Sequence, residues 1–303
     1  MNRHPAIFAI TKDTVTEFFN DDCPSQAAAL SYYTVFSLPP LLLIVVTVLG
    51  SVFGSEAAQD RVLYQVSNLI GSKTGEQIKS MLAAIQRSGG TSGIIAAIGI
   101  GAVLLGATSA FVQLQSALNQ AWNVKPDPRQ GEVRTFLAKR VVSFGMILGI
   151  AFLTMVSLLL SAGLAAFGDV LKQWLPSGFS ASLLQGLNTA LSFLIFAVLF
   201  AAMHRFLPDA EISWRDAAVG GALTAILFTV GKLLIGLYIG NSNVTSVYGA
   251  AGSLAVILVW TYYSSMILLL GAELTQVWSR YHGRVAPPEP GAIKVEQREV
   301  AVS

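Results

Sequence analysis

The chain has 303 residues, 53% hydrophobic and only 12% charged, with a formal net charge of +2; an ordinary soluble domain carries about 25% charge. This composition argues against a water-soluble protein, and so small a charge balance offers no basic stripe for a nucleic-acid backbone, so no nucleic-acid partner is expected. A single cysteine, Cys23, leaves neither an internal disulfide nor a thiolate metal cluster and reads as a small buried side chain.

The N-terminal MNRHPAIFAITKDTVTEFF lacks the apolar core and cleavage site of a secretory signal, and residues 1–23 are expected to form an arm ahead of the membrane domain. Ile7, Phe8, Val15, Phe18 and Phe19 can share one helix face, with Lys12, Asp13 and Glu17 between them, which predicts an amphipathic arm lying in the cytoplasmic interface. Asp21 and Asp22 precede Pro24, and either Asp22 or Ser25 is placed to cap the next helix. Apolarity then runs from Ala27 to Phe53, about 40 Å as one straight helix. Pro39 and Pro40 interrupt it, so a broken first helix is expected, either a plain kink or the lining of a cavity. The external segment 55–92 predicts two short amphipathic helices separated by Gly71. The first carries Val62, Val66, Leu69 and Ile70, the second Ile78, Met81, Leu82 and Ile85.

Six apolar stretches, about 38–54, 93–112, 141–163, 184–203, 217–240 and 252–272, hold a single charged residue, Lys232, and each approaches the ~20 residues that cross a bilayer. The expected fold class is therefore all-α, a polytopic membrane bundle of six transmembrane helices over 24–281, with the lipid bilayer as its partner. Gly145 with Gly149, and Gly236 with Gly240, have the four-residue spacing that lets helices approach closely, within the chain or between copies in a homo-oligomer. Residues 282–303, rich in proline and charge, predict a disordered tail. With the N-terminus inside, cytoplasmic segments hold 13 Lys and Arg against 5 outside, so both termini are expected to be cytoplasmic.

Polar groups in hydrocarbon are costly, which singles out a few residues. Lys232 lies about 22 Å into the fifth span, either snorkelling outward or facing a polar cavity that holds an anionic group. Glu273 closes the sixth span at the opposite membrane face, where Arg140, Lys139, Arg205 or Arg280 are its expected ion partners. Trp260, Tyr262 and Tyr263 fall mid-span and suggest a polar seam with Asn188, Gln113, Gln115 and Asn119.

The ordered combination of AALSYYTVFSLPPLLL (Ala28 to Leu43), ALNQAWNV (Ala117 to Val124) followed by Arg134, Lys139 and Arg140, KLLIGLY (Lys232 to Tyr238), and VYGAAGSLAVILVWTYYSSMILLLGAELT (Val247 to Thr275) resembles the YihY/BrkB family of bacterial inner-membrane proteins. That resemblance implies six spans with both termini cytoplasmic. The family has also carried a ribonuclease BN label, which these residues do not support. Metal-dependent hydrolysis needs clustered ligands, and His4, His204 and His282 are far apart with no HxH or HxxEH spacing. No GxSxG elbow or GxxxxGK[ST] loop is present, so neither enzyme activity, a metal nor a cofactor is expected. The expected function is transport or export of an anionic or amphiphilic, lipid-like substrate. Its passage would be lined by Tyr32, Tyr33, Pro39, Lys232, Tyr238, Tyr248, Trp260 and Tyr262. The alternative is an envelope assembly factor acting through helix association.

Overall fold

A computed structural model of the chain describes residues 7–70, 79, 83, 109–129, 177–241 and 250–295. The span expected over 141–163, most of that over 93–112, nearly all of the second amphipathic helix and the last residues of the tail lie outside them.

The chain opens with α1 (Ile7–Asn20), which buries Ile10, Thr14 and Phe18 at four-residue spacing. Its other side leaves Ile7, Phe8, Val15 and Phe19 exposed. The helix ends at Asp21 and Asp22. Asp22 takes a left-handed conformation at φ 50°, and its carboxylate accepts the Ser25 hydroxyl at 2.8 Å rather than capping a backbone N–H.

Next, α2 (Cys23–Phe53) is one continuous 31-residue helix, where the two prolines predict a break. Pro39 and Pro40 remove only the donors that would reach Val35 and Phe36, and the fixed φ of proline is itself helical. In apolar surroundings the remaining backbone groups have no better partner than the helix ladder. Gly54, at φ 86°, makes the turn into α3 (Ser55–Ile70), the first of the two expected amphipathic helices, which packs on α2 through Ala58, Val62 and Leu63. A helix over 109–121, α4, leads into strand β1 (Val124–Pro126).

Three long helices follow: α5 (Ser177–Phe206), α6 (Trp214–Asn241) and α7 (Ala250–Tyr281). α5 pairs with α6, and α7 packs against α6, α2 and α1. Phe196, Phe200, Phe228 and Trp260 meet in the core, with ring centroids 5.0 to 5.7 Å apart for the contacts that Phe228 makes. The outside is apolar as well: Leu194 and Val198 on α5, and Ile226, Val230 and Leu234 on α6, are exposed at four-residue spacing. In water such a surface would drive aggregation, whereas in hydrocarbon it is an ordinary lipid-facing wall. Among the described residues, Thr189–Phe206 and Ala255–Tyr281 are long and apolar enough to cross a membrane.

Helices in lipid gain little from apolar burial, so close backbone approach matters more. On α6 and α7 the small residues interlock reciprocally. Gly220 lies against Thr275, Gly271 lies against Thr224, and each threonine hydroxyl returns to the glycine carbonyl one turn back on its own helix, at 2.7 Å for Thr224 and 2.6 Å for Thr275.

The tail expected to be disordered over 282–303 is folded as far as residue 295. β2 (Ala292–Lys294) pairs antiparallel with β1, Val124 opposite Lys294. Ala210 bridges to Pro288, and Arg284 binds Asp216 at 2.8 Å. A proline-rich chain is already extended and loses little entropy on docking, and the open edges at 124–126 and 209–211 give its backbone partners.

Arg284→Ala leaves buried Asp216 with only the Ser213 hydroxyl at 2.7 Å and the N-terminus of α6. Docking is expected to weaken by about 1–2 kcal/mol, read as roughly tenfold faster tryptic cleavage at Lys294. Glu289 is raised above the usual carboxylate range by burial, then by Asp209 and Glu211, against the opposing pull of Arg205. The docked tail therefore binds that proton more tightly than the free tail. Docking is firmest below the ordinary value and loosens as pH rises through the shifted one, a dependence that Glu289→Gln should flatten.

Candidate functional site

The last turns of α7 meet the first turn of α2 beneath α1. Asp21 is held at this junction because its N–H closes α1 onto the Glu17 carbonyl at 2.8 Å and its carbonyl accepts the Gln120 side-chain amide at 2.7 Å. Behind Gln120 the amides continue in a chain. Gln26 donates to Gln120 at 3.0 Å, and Gln113 donates to Gln26 at 3.2 Å.

Against this frame stands Glu273, 0% exposed. The Cys23 thiol donates to its Oε1 at 3.6 Å, its Oε2 has no partner among the described residues, and buried Asp21, two residues before Cys23, is its acidic neighbour. Asp21 is itself only 7% exposed. Burial pushes its carboxyl up to about 6, with Glu273 hydrogen bonding opposing and the Glu17 charge adding to the rise. Deeper in the bundle, His204 is wholly buried. One ring nitrogen sits 3.3 Å from the Leu268 carbonyl, and Nδ1 has no partner among the described residues.

A second polar junction ties α4 to the loop after α5. Asp209 accepts from Gln115 at 2.9 Å and Asn119 at 2.6 Å, while its own N–H donates to Asn119 at 2.7 Å. Beside it, a polar cleft of about 280 Å³ is lined by Ser116, Asn119, Gln120, Asn123, Lys125 and Val295. Among the described residues no group of three His, Cys, Asp or Glu is placed to hold a metal.

The residues singled out from the sequence scatter. Glu273 has no basic partner among the described residues. Arg280 binds Glu17 at 2.9 Å, and Arg205 lies near Glu289. Among the described residues, Arg280 is thus held by an acid nearer solvent, and Glu273 is left beside Asp21. Lys139, Arg140 and Tyr248 lie outside the described residues.

Lys232 is half-buried on α6, next to Gly231, against which the Tyr263 ring rests. Tyr32 and Tyr33 are exposed and stack edgewise on each other rather than turning inward. Trp260 is a core residue packed on Phe228, and Tyr262 faces outward. Pro39 lies within α2 and Tyr238 within α6. The expected seam divides as well: Gln113 joins Gln26, while Gln115 and Asn119 join Asp209.

Asp21 and Cys23 are what sequence reasoning missed as site residues. The pattern around Pro24 showed a helix start, but nothing local links residue 21 to residue 273.

A family model described as virulence factor BrkB matches residues 14–294. Similar chains include a UPF0761 membrane protein of Pseudomonas aeruginosa strain PAO1, 28% identical over 87% of this chain and 62% of its own length. One from Rhodospirillum centenum is 29% identical over 98% of this chain and 64% of its own. One from Psychrobacter sp. strain PRwf-1 is 26% identical over 88% and 48%. The chain thus spans about half to just under two thirds of the length of these relatives. No solved structure matches it.

Proposed function

Since the chain belongs to the virulence factor BrkB family, and its relatives bear the name membrane protein, we propose that it is a bacterial inner-membrane transporter or exporter of an anionic or amphiphilic, lipid-like substrate, built on six spans and without enzymatic activity. The observation that supports this reading best is Glu273, wholly buried at the end of a membrane-crossing helix with one carboxylate oxygen unpartnered among the described residues. A bundle serving only as scaffold gains nothing from so costly a group, whereas membrane proteins that move ions and solutes place ionisable side chains inside.

The competing reading, an assembly factor that pairs through glycine faces, is less well supported. Gly220, Gly221, Gly231 and Gly271 are engaged inside the chain, while Gly145 and Gly149 lie outside the described residues and the described burial does not reach Gly236 and Gly240. In support of both termini lying on one side, α1 and the folded tail sit at one end of the bundle, and the excess of Lys and Arg favours the cytoplasm for that side. Tyr281 donates to Asp13 at 2.7 Å, and Arg280 binds Glu17.

Lys232 is the one cation within the apolar stretches and the proposed contact for the substrate's negative group. In proteoliposomes, Lys232→Met should cut carboxyfluorescein efflux or the inward flip of fluorescently labelled phosphatidylglycerol at least tenfold, about 1.4 kcal/mol of lost interaction, while the protein stays monodisperse. Unchanged rates for both probes would remove Lys232 from the pathway.

A further inference from the structure

We propose that Asp21 and Glu273 form a proton-binding site, one exchangeable proton held between two carboxyl groups, and that its release drives the translocation cycle; this rests on the transport reading above. Glu273 is sealed from solvent with Oε1 on the Cys23 thiol, Oε2 unpartnered among the described residues, and Asp21 facing it.

Among the described residues the charges around the pair are acidic: Glu17 from α1, and Asp22 beside Cys23. The nearby described cations are committed elsewhere. Arg280 is bound to Glu17 and Asp13, and Arg284 to Asp216. Lys232 stands about 24 Å further along α6 from Asp216. Two neighbouring bare carboxylates, shielded from water and with no cation paired to them among the described residues, repel each other strongly. A single proton removes that repulsion, donated by one carboxyl oxygen and accepted by the other.

Asp21 gives the proton its way out. It keeps a sliver of exposure next to exposed Asp22, and its carboxyl, raised to about 6, lies within reach of ordinary pH changes. When the proton leaves to water through Asp21, both groups carry charge, and the first turn of α2 is pushed from the end of α7. These two helices make one of the principal packing interfaces of the described bundle. Reprotonation lets them close, which supplies the two-state element that a gradient can bias.

The test uses the full chain in phosphatidylcholine vesicles carrying labelled phosphatidylglycerol. Infrared titration should show a protonated-carboxyl carbonyl band that fades as pH rises, is absent in Glu273→Gln and is shifted in Asp21→Asn. No such band in the wild type, or the same band in Glu273→Gln, would overturn the proton site. An imposed pH gradient should speed wild-type lipid translocation several-fold and leave the Glu273→Gln rate the same with and without it. A Glu273→Gln response equal to the wild type's would overturn the coupling. Absence of any wild-type translocation would instead overturn the transport reading, while the infrared titration still judges the proton site.

Discussion

Asp209→Ala should lower the thermal midpoint of the detergent-solubilised protein more than any other single polar deletion considered. The carboxylate takes hydrogen bonds from Gln115 and Asn119, both buried, and alanine supplies no replacement acceptor. Each stranded amide costs about 1–3 kcal/mol, so a loss on the order of 2–5 kcal/mol is expected. The Asp209 N–H to Asn119 bond survives, and so does the backbone bond from Glu289 to the Asp209 carbonyl. The fold should therefore loosen without losing its topology. Asp209→Asn keeps one acceptor and should recover roughly half of the loss. A midpoint for the alanine variant within a degree of the wild type would show that the junction between α4 and the 207–213 loop carries no stability.

Gly221→Ala is the second large expectation. A methyl group at this position meets the Ala201 backbone nitrogen at 2.5 Å and the Ala197 carbonyl oxygen at 2.7 Å. Neither can rotate away as a side-chain tip would, so the α5–α6 contact must open along its length. Overpacking of this kind costs about 1–3 kcal/mol, and in lipid no gain from apolar burial offsets it. Lower yield of monodisperse protein and a lower thermal midpoint are expected. Ala222, on the same helix one residue further, is half-buried and carries a methyl already. Ala222→Gly should be mild by comparison, which separates the contact from helix propensity in general.

Much of the architecture was legible because the solvent leaves a strong mark on sequence. Among the described residues, the apolar runs at 38–53, 184–203, 217–240 and 252–272, the first amphipathic segment from Ser55 and the amphipathic arm all fall on helices. Two features went the other way for definite reasons. Adjacent prolines at 39 and 40 looked like a break, but in an apolar environment the ladder around them has no competitor. The tail looked disordered by composition, yet its backbone finds strand partners at Val124–Pro126 that composition cannot reveal.

The site was much less legible. Glu273 stood out as a charge at the end of a span, but its partner depends on how α1 turns into α2. That turn uses a left-handed Asp22, which no pattern announces. Asp21 reads as a residue ahead of a helix start and Cys23 as a small buried side chain, because their shared chemistry becomes visible only once Cys23 and Glu273, 250 positions apart, are brought together. The reciprocal Gly220–Thr224 and Gly271–Thr275 steps were written in the sequence at four-residue spacing. Recognising them requires knowing that α6 and α7 are neighbours.

The most direct test of the central claim is the rate at which labelled phosphatidylglycerol crosses the bilayer of vesicles holding the wild-type chain, set beside protein-free vesicles of the same lipid. A protein-dependent rate that rises with the number of chains per vesicle is predicted. A rate equal to that of empty vesicles, for this lipid and for carboxyfluorescein alike, from protein that remains folded and monodisperse, would contradict it.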